Sequence, residues 1–399
     1  MGVIKKIIIL LIILSSSLIC QFLKLEDYLK LGKENNFKIK SLENIVLAKK
    51  SAYKQASVKM NPSFEVEAGN KEQYVSLFQG IEYPGKIDSR MNLAEAELNL
   101  AEAELNSYKN ELDYQLFTDY VELVFSKKTL DLLKDYYSLI LELNKITKYN
   151  LDKGFGNKLD VIKSKVELVR AERNLVDAEK KYHQLLKKIK TNISDSFIDS
   201  LITLSDDEIK IKDFLSEEEA YSLALKFNAN ILVEKNKIKI AEANSQNVII
   251  SKKPDFNIGL KTGFDEGYFA TSITFGMPIN LWDNKEGAIE ESIHNKNSSE
   301  REYDNVVKSI KQEIGFLLIE IKNLRNTINL YEKELLLETK EEYNNAKRLF
   351  QSGELRLLDF LDAQKTYLDV NLEYIEVKKS LLLAKANLNS VIGISLLEK

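Results

Sequence analysis

Proline is scarce in this chain, with four residues in 399, and glycine is held to fifteen. So few breakers, with much Leu, Lys, Glu and Asn, exclude a loop-rich globule and favour long helices. There is one cysteine, Cys20, so the exported chain has no internal disulfide. The two histidines, His183 and His294, sit in helical stretches without nearby Cys, Ser or metal-spaced partners. Each reads as a solvated helix residue rather than a ligand or a base. No Gly-rich phosphate loop follows a strand. No catalytic residue, metal centre or cofactor is therefore expected, and the chain does not read as an enzyme. A net charge of -4 gives no reason to expect a nucleic-acid partner.

Long apolar runs are also missing, except at the start. Lys5 and Lys6 precede the apolar run Ile7 to Leu14, and a Ser-rich segment leads to Cys20. This is the layout of a signal peptide over residues 1–20, so the protein is expected to be exported. Two readings of Cys20 stay open: lipidation, against which Ile19 counts, or cleavage just after it.

What is present is a duplication. In the first repeat, residues 21–191, a helix from Leu25 to about Lys59 ends at Asn61-Pro62. A strand hairpin follows over about 63–84, with Phe64, Val66 and Ala68 on one face of its first strand and Val75, Leu77, Ile81 and Tyr83 on one face of its second. A helical pattern from about Asp88 to Lys153 leads to a tip at about 153–160, and a shorter helix runs to Thr191. A Ser/Asp-rich linker covers 192–213. The second repeat, 214–399, has a helix over Phe214 to Ser251, strands at about 255–280, a long helix from about Glu286, a tip at about 352–362 and a last helix to about Asn389. Asn228 stands where Asn36 stood.

The two tips match. Asp160 follows Gly154 by six residues, and Asp359 follows Gly353 by six. Gly suits a helix-ending turn, and the Asp lies in the first turns of the next helix, where its charge favours the helix dipole. Asp359 and Asp362 are three apart and share a helix face.

The strands are apolar on one face and small or polar on the other, as a membrane barrel wall requires. Tyr74, Tyr83, Tyr268 and Trp282 lie near strand ends, where interfacial aromatics belong. Four strands cannot close a spanning barrel, so several chains must share one. The long helix carries two apolar seams, Leu93-Ala96-Leu100-Ala103 and Ala94-Leu98-Ala101-Leu105-Tyr108-Leu112. At about 100° per residue they point roughly 150° apart, which suits a wall of roughly a dozen helices. Glu97, Glu104 and Glu111 lie in the narrower gap between seams and are the candidates for facing a lumen. The fold class is mainly α with a small β part: a duplicated helix–hairpin–helix repeat closing as a trimeric α/β-barrel channel.

At this point the chain resembles the outer-membrane efflux proteins, the TolC family, over essentially its whole length after the leader. The resemblance rests on the duplicated order, on Tyr83-Pro84-Gly85-Lys86 leading to Arg90, and on the Gly-to-Asp tips, above all Leu358-Asp359-Phe360-Leu361-Asp362-Ala363-Gln364. The Pro-Gly-Lys corner is more similar to the branch serving resistance-nodulation-division metal and drug pumps. The resemblance implies a homotrimer in outer-membrane lipid that extends into the periplasm. It implies docking to a periplasmic membrane-fusion adaptor and an inner-membrane transporter, for efflux or type I secretion, with no chemistry of its own. It implies an acidic entrance ring at Asp359 and Asp362, and a gate and adaptor-docking region at Gly154, Asp160, Gly353 and Arg356. It also implies a latch from Asp160 to an aromatic hydroxyl and an Arg, but here Phe350 and Leu355 stand at the partner positions, with Arg356 one residue late. The rival reading is a periplasmic coiled-coil adaptor or structural protein.

Overall fold

The computed structural model describes residues 22–70, 72–193, 203–204, 211 and 216–396. The leader and Cys20, with most of the 192–213 linker, lie outside the described residues. The elements, in order, are β1 (Phe22–Leu23), α1 (Leu25–Glu34), α2 (Phe37–Ala56), β2 (Ser63–Ala68), β3 (Glu72–Ile81), α3 (Lys86–Asp152), α4 (Lys158–Ile193), β4 (Thr203–Leu204), α5 (Glu217–Phe227), α6 (Ala229–Ser251), β5 (Phe256–Asp265), β6 (Tyr268–Gly276), α7 (Glu286–Leu330), a π turn (Tyr331–Leu335), α8 (Leu336–Gln351) and α9 (Leu357–Ile392). No described helix is long and apolar enough to cross a membrane.

Three helices read as continuous are interrupted. The first breaks at Asn35-Asn36 and ends at Ala56, short of Lys59. The second-repeat helix is described from Glu217, its expected start at Phe214 lying outside the described residues, and breaks at Asn228. Both breaks have the same cause: an Asn side chain that competes for backbone groups. Asn35 Nδ2 donates to Leu31 O and Ile193 O, at 3.0 and 2.8 Å. Asn228 Oδ1 accepts from Ile231 N at 2.8 Å and caps α6. The third interruption is the π turn, which divides the helix expected to run from Glu286 to Ser352.

The chain divides into two compact units, and both repeats contribute to each. One unit holds residues 37–110 and 220–313. Its centre is an antiparallel sheet in the order β2-β3-β5-β6. Beside the sheet, α2 pairs with the first turns of α3 through Lys49 Nζ–Glu97 Oε2 at 2.7 Å, and α6 pairs with α7 through Lys296 Nζ–Glu242 Oε1 at 3.1 Å. Arg90 fixes the corner between strand and long helix. Its guanidinium donates to Ala56 O, Val58 O and the Glu82 carboxylate, at 2.9, 3.1 and 2.6 Å. Asp255 accepts from Tyr83 N at 2.9 Å and pairs with Lys86 Nζ at 2.8 Å. That is why Pro84-Gly85 is followed by Lys86 and Arg90: the turn aims both cations at carboxylates beside the strand ends.

The other unit holds residues 1–36, 111–219 and 314–399. β1 and β4 pair in parallel. Tyr28, Phe117 and Tyr120 are fully buried. Buried Asp119 accepts from Lys188 Nζ at 2.6 Å and Asn192 Nδ2 at 3.2 Å, and Asn192 also donates to Tyr28 Oη at 2.7 Å. Each partner there neutralises or satisfies another, so the charge can be buried.

Candidate functional site

The two helical tips are built by the same backbone device. Gly154 and Gly353 have φ of 79° and 78°. Gly154 N donates to Leu151 O and Phe155 N to Asn150 O; Gly353 N donates to Phe350 O and Glu354 N to Leu349 O. This double closure needs a left-handed residue, which glycine supplies without steric cost. Both aspartates, Asp160 and Asp359, then sit third in their helices.

The tips differ in side chains. Asn157 caps α4, its Oδ1 accepting from Leu159 N at 2.8 Å. Arg356 occupies the same place before α9 and makes no cap bond. Its guanidinium instead grips Asp359 with two bonds, Nε to Oδ2 at 2.9 Å and Nη2 to Oδ1 at 3.1 Å. Half of the expected acidic pair is thus matched by a cation of its own chain. Asp362 and Asp160 form no ion pair among the described residues, Asp362 being exposed and Asp160 half-buried.

Under the second tip lies an aromatic stack. Phe350 stacks on Phe360 with centroids 4.9 Å apart, Phe360 faces Tyr343 at 6.3 Å, and Tyr343 stacks on Tyr367 at 5.2 Å. Leu355 packs against the same cluster. Phe350 and Leu355, at the positions where latch partners were expected, therefore serve packing. Under the first tip the pins are polar: Asn144 Nδ2 and Thr147 Oγ1 meet buried Ser164 Oγ at 2.9 and 2.8 Å. Tyr136 Oη donates to Glu167 at 2.9 Å, and burial, with the Glu167 charge, pushes its phenol well above the usual range. Both tips line one open cleft of about 730 Å³, with Asp160, Lys163, Glu354 and Arg356 at its edges.

Sequence reasoning missed a second constellation. At the π turn, Tyr331 Oη donates to Glu373 Oε2 at 2.7 Å, and Tyr374 Oη donates to Glu332 Oε1 at 2.5 Å. Lys378 lies 3.4 Å from Glu332 and 4.5 Å from the Tyr374 ring centre. The bond from Tyr374, then Lys378, holds the Glu332 carboxyl below its ordinary pKa. Two consecutive residues of one helix rarely both reach one neighbour, because α-helical positions turn by about 100° each. A π turn takes roughly 80° per residue and brings Tyr331 and Glu332 nearer one face. The only signal in the sequence is the reversed dyads, Tyr331-Glu332 and Glu373-Tyr374.

In the sheet unit, one face carries cross-strand rows of large apolar side chains. Phe64, Leu77, Leu260 and Ile273 form one row, in register across all four strands. They are 65, 53, 50 and 81% exposed. An ordinary soluble sheet would bury this face; in this chain it is exposed. On the other face Gly259 lies beneath the Phe78 ring, where an added Cβ would come within 2.3 Å of it.

Of the candidate lumen residues, Glu104 and Glu111 are exposed, whereas Glu97 is half-buried in its pair with Lys49. His183 makes an edge contact with Tyr182. Among the described residues, no group of three His, Cys, Asp or Glu is placed to hold a metal ion.

Residues 237–394 match the family model described as outer membrane efflux protein. The cobalt-zinc-cadmium resistance protein CzcC of Cupriavidus metallidurans is 21% identical over 381 residues, which span 93% of this chain and 90% of that protein. The fold is similar to that of the Campylobacter jejuni CmeC outer membrane channel, with TM-score 0.77 and 17% identity over 92% of this chain and 85% of that one. It is also similar to the Neisseria gonorrhoeae MtrE outer membrane channel in its open state, with TM-score 0.76 and 14% identity over 93% and 89% of the two chains.

Proposed function

We propose, from the premise that this chain belongs to the outer membrane efflux protein family, that three copies share one membrane wall and form the exit duct of an efflux system. Proteins of this family are outer-membrane channels, conduits without enzymatic chemistry, and components of tripartite systems with an adaptor and an inner-membrane pump. The observation that carries the trimer is the exposed apolar row Phe64-Leu77-Leu260-Ile273 on a sheet whose edge strands are β2 and β6. Four strands cannot close around a pore, and three copies supply roughly a dozen. A periplasmic adaptor or coiled-coil protein would hold that face in water.

In this reading the helices continue the duct into the periplasm, and the tips form its entrance and its docking surface for an adaptor hairpin. Asp362 carries the entrance charge, with Asp359 partly masked by Arg356. Glu104 and Glu111 face the lumen, while Glu97 ties α3 to α2. The name of the cobalt-zinc-cadmium relative makes divalent cations the first cargo to test.

Detergent extracts of outer-membrane fractions should give a cross-linked trimer with heat-modifiable gel migration, and that species should conduct in planar bilayers. A stable monomer in the soluble fraction would defeat the proposal. Cysteines at 104 and 111 should react in the open channel with small polar thiol reagents. Protection of both from reagent and from solvent would remove them from the lumen.

A further inference from the structure

Every charged residue of β2, β3, β5 and β6 lies on the face of the sheet opposite the apolar rows. The register sets Glu65, Ser76, Lys261 and Ser272 in one row, and Glu67, Tyr74, Gly263 and Ala270 in the next. Glu72 and Asp265 pair in the same phase, towards the hairpin turns. The four strands thus hold four carboxylates and a single cation, Lys261, all on one side. This side is also built for crowding. A Cβ added at Gly263 would run into the Gln73 carbonyl, so the backbones of β3 and β5 approach closely there. Glycine at a close backbone approach suits the inside of a curved sheet.

Lys261 does not meet Glu65, the carboxylate of its own row. It crosses β3 to Glu67, one row along, with Nζ 2.5 Å from Oε2 and 4.1 Å from the centre of the Tyr74 ring. The ring face attracts the ammonium and fixes it between the strands. Tyr74, expected from the sequence at the lipid boundary, therefore acts on the polar face. Glu65 makes no ion pair among the described residues.

We propose that Lys261 is a specificity-determining residue of the duct. It offsets one carboxylate in each copy and so sets the charge of the lumen within the membrane, a filter separate from the entrance at the helical tips. The inference rests on the channel reading above, in which the apolar face meets lipid and this face meets the lumen. Four carboxylates against one ammonium in each copy favour cations over anions. Removing the ammonium frees Glu67 and strengthens that preference. Removing the Glu67 charge leaves the ammonium unmatched and weakens it. A lysine that only fastened β5 to β2 would change assembly and leave selectivity alone.

The test is the reversal potential of the full-length trimer in planar bilayers under a potassium chloride gradient. Lys261→Met should raise the potassium-to-chloride permeability ratio roughly twofold at about 0.1 M salt, if the ammonium groups stand about 10 Å from the axis. Glu67→Gln should lower it by a similar factor. The double variant restores the net charge and should return near the parent, and Lys261→Arg should keep the parent value. The Lys261→Met shift should persist in an Asp362→Asn background; its disappearance there would leave the tips as the filter and overturn the proposal. Single variants that both keep the parent ratio, or both shift it in the same sense, would overturn it too. Should Lys261→Met give few trimers, Glu67→Gln decides alone: an unmoved ratio refutes the filter. A parent trimer that conducts isolates such a failure to Lys261, whereas a parent that never conducts sinks the channel reading itself.

Discussion

Deleting Lys333 from the π turn separates two physical pictures of the second tip. Lys333 is exposed and lies between α7 and α8. In a regular α-helix a one-residue deletion turns everything that follows by about 100° and draws it back about 1.5 Å. That would carry Tyr343, Ala346 and Phe350 out of the cluster around Phe360. Half-buried Tyr343 and Phe350 would each forfeit about 1 kcal/mol of burial. Three ring pairs would add about 0.5–1.5 kcal/mol each. The total, about 5 kcal/mol, is comparable to the net stability of a whole domain. A π turn, however, is a helical turn that already holds one residue too many. Removing Lys333 lets it relax to an α turn with α8 still facing α9, and what is lost is one arm of the Tyr331–Glu373 and Tyr374–Glu332 clasp, about 1 kcal/mol. The deletion should therefore leave melting by circular dichroism in detergent within a few degrees of the parent. Hydrogen exchange should stay slow in α8 below the turn and rise only around Tyr331–Leu335. Melting lowered by tens of degrees, or fast exchange throughout α8, would refute the insertion account.

At the entrance, Arg356→Ala frees Asp359 and should raise cation selectivity in planar bilayers, roughly twofold at about 0.1 M salt if the three guanidinium groups stand about 10 Å from the axis. Asp359→Asn with Asp362→Asn should lower selectivity and block by divalent cations at unchanged trimer yield; unaltered values for both variants would remove the ring. At the tips, Gly353→Ala meets no atom within 4 Å, so its cost should be that of a left-handed residue alone, about 1–2 kcal/mol, and Gly353→Asn should recover part of it; equal melting of Ala and Asn variants would count against backbone strain. The clasp should depend on pH at both ends. Glu332 is held below its ordinary pKa, so its contribution is present above the usual carboxylate range and lost as pH falls through the depressed value. Tyr331 is pushed up by its bond to Glu373, and Tyr374 by burial and Glu332, so theirs is present below about 10 and lost as pH rises through the raised values. Exchange protection at Tyr331–Leu335 should trace that plateau, and Glu332→Gln should flatten its acid side.

Periodic structure was legible in the residue pattern alone. Alternation at Phe64-Val66-Ala68 and Phe256-Ile258-Leu260 marked the strands, because period two has no other regular explanation. Proline and glycine scarcity marked the helices, and two glycines with aspartates six residues on marked the tips, whose matching bonds follow from positive φ. Other events depend on packing between elements, which local pattern does not encode. Helix breaks at Asn35 and Asn228 depend on whether an amide finds a backbone partner, which for Asn35 lies 158 residues away. The π turn depends on Glu373 and Tyr374, 42 residues on from Tyr331 and Glu332. Arg356 could have reached across to the other tip; a bidentate partner three residues away in its own helix took it instead. Phe350 lost its place in a latch because a ring without a hydroxyl gains more by stacking on Phe360 than by facing water.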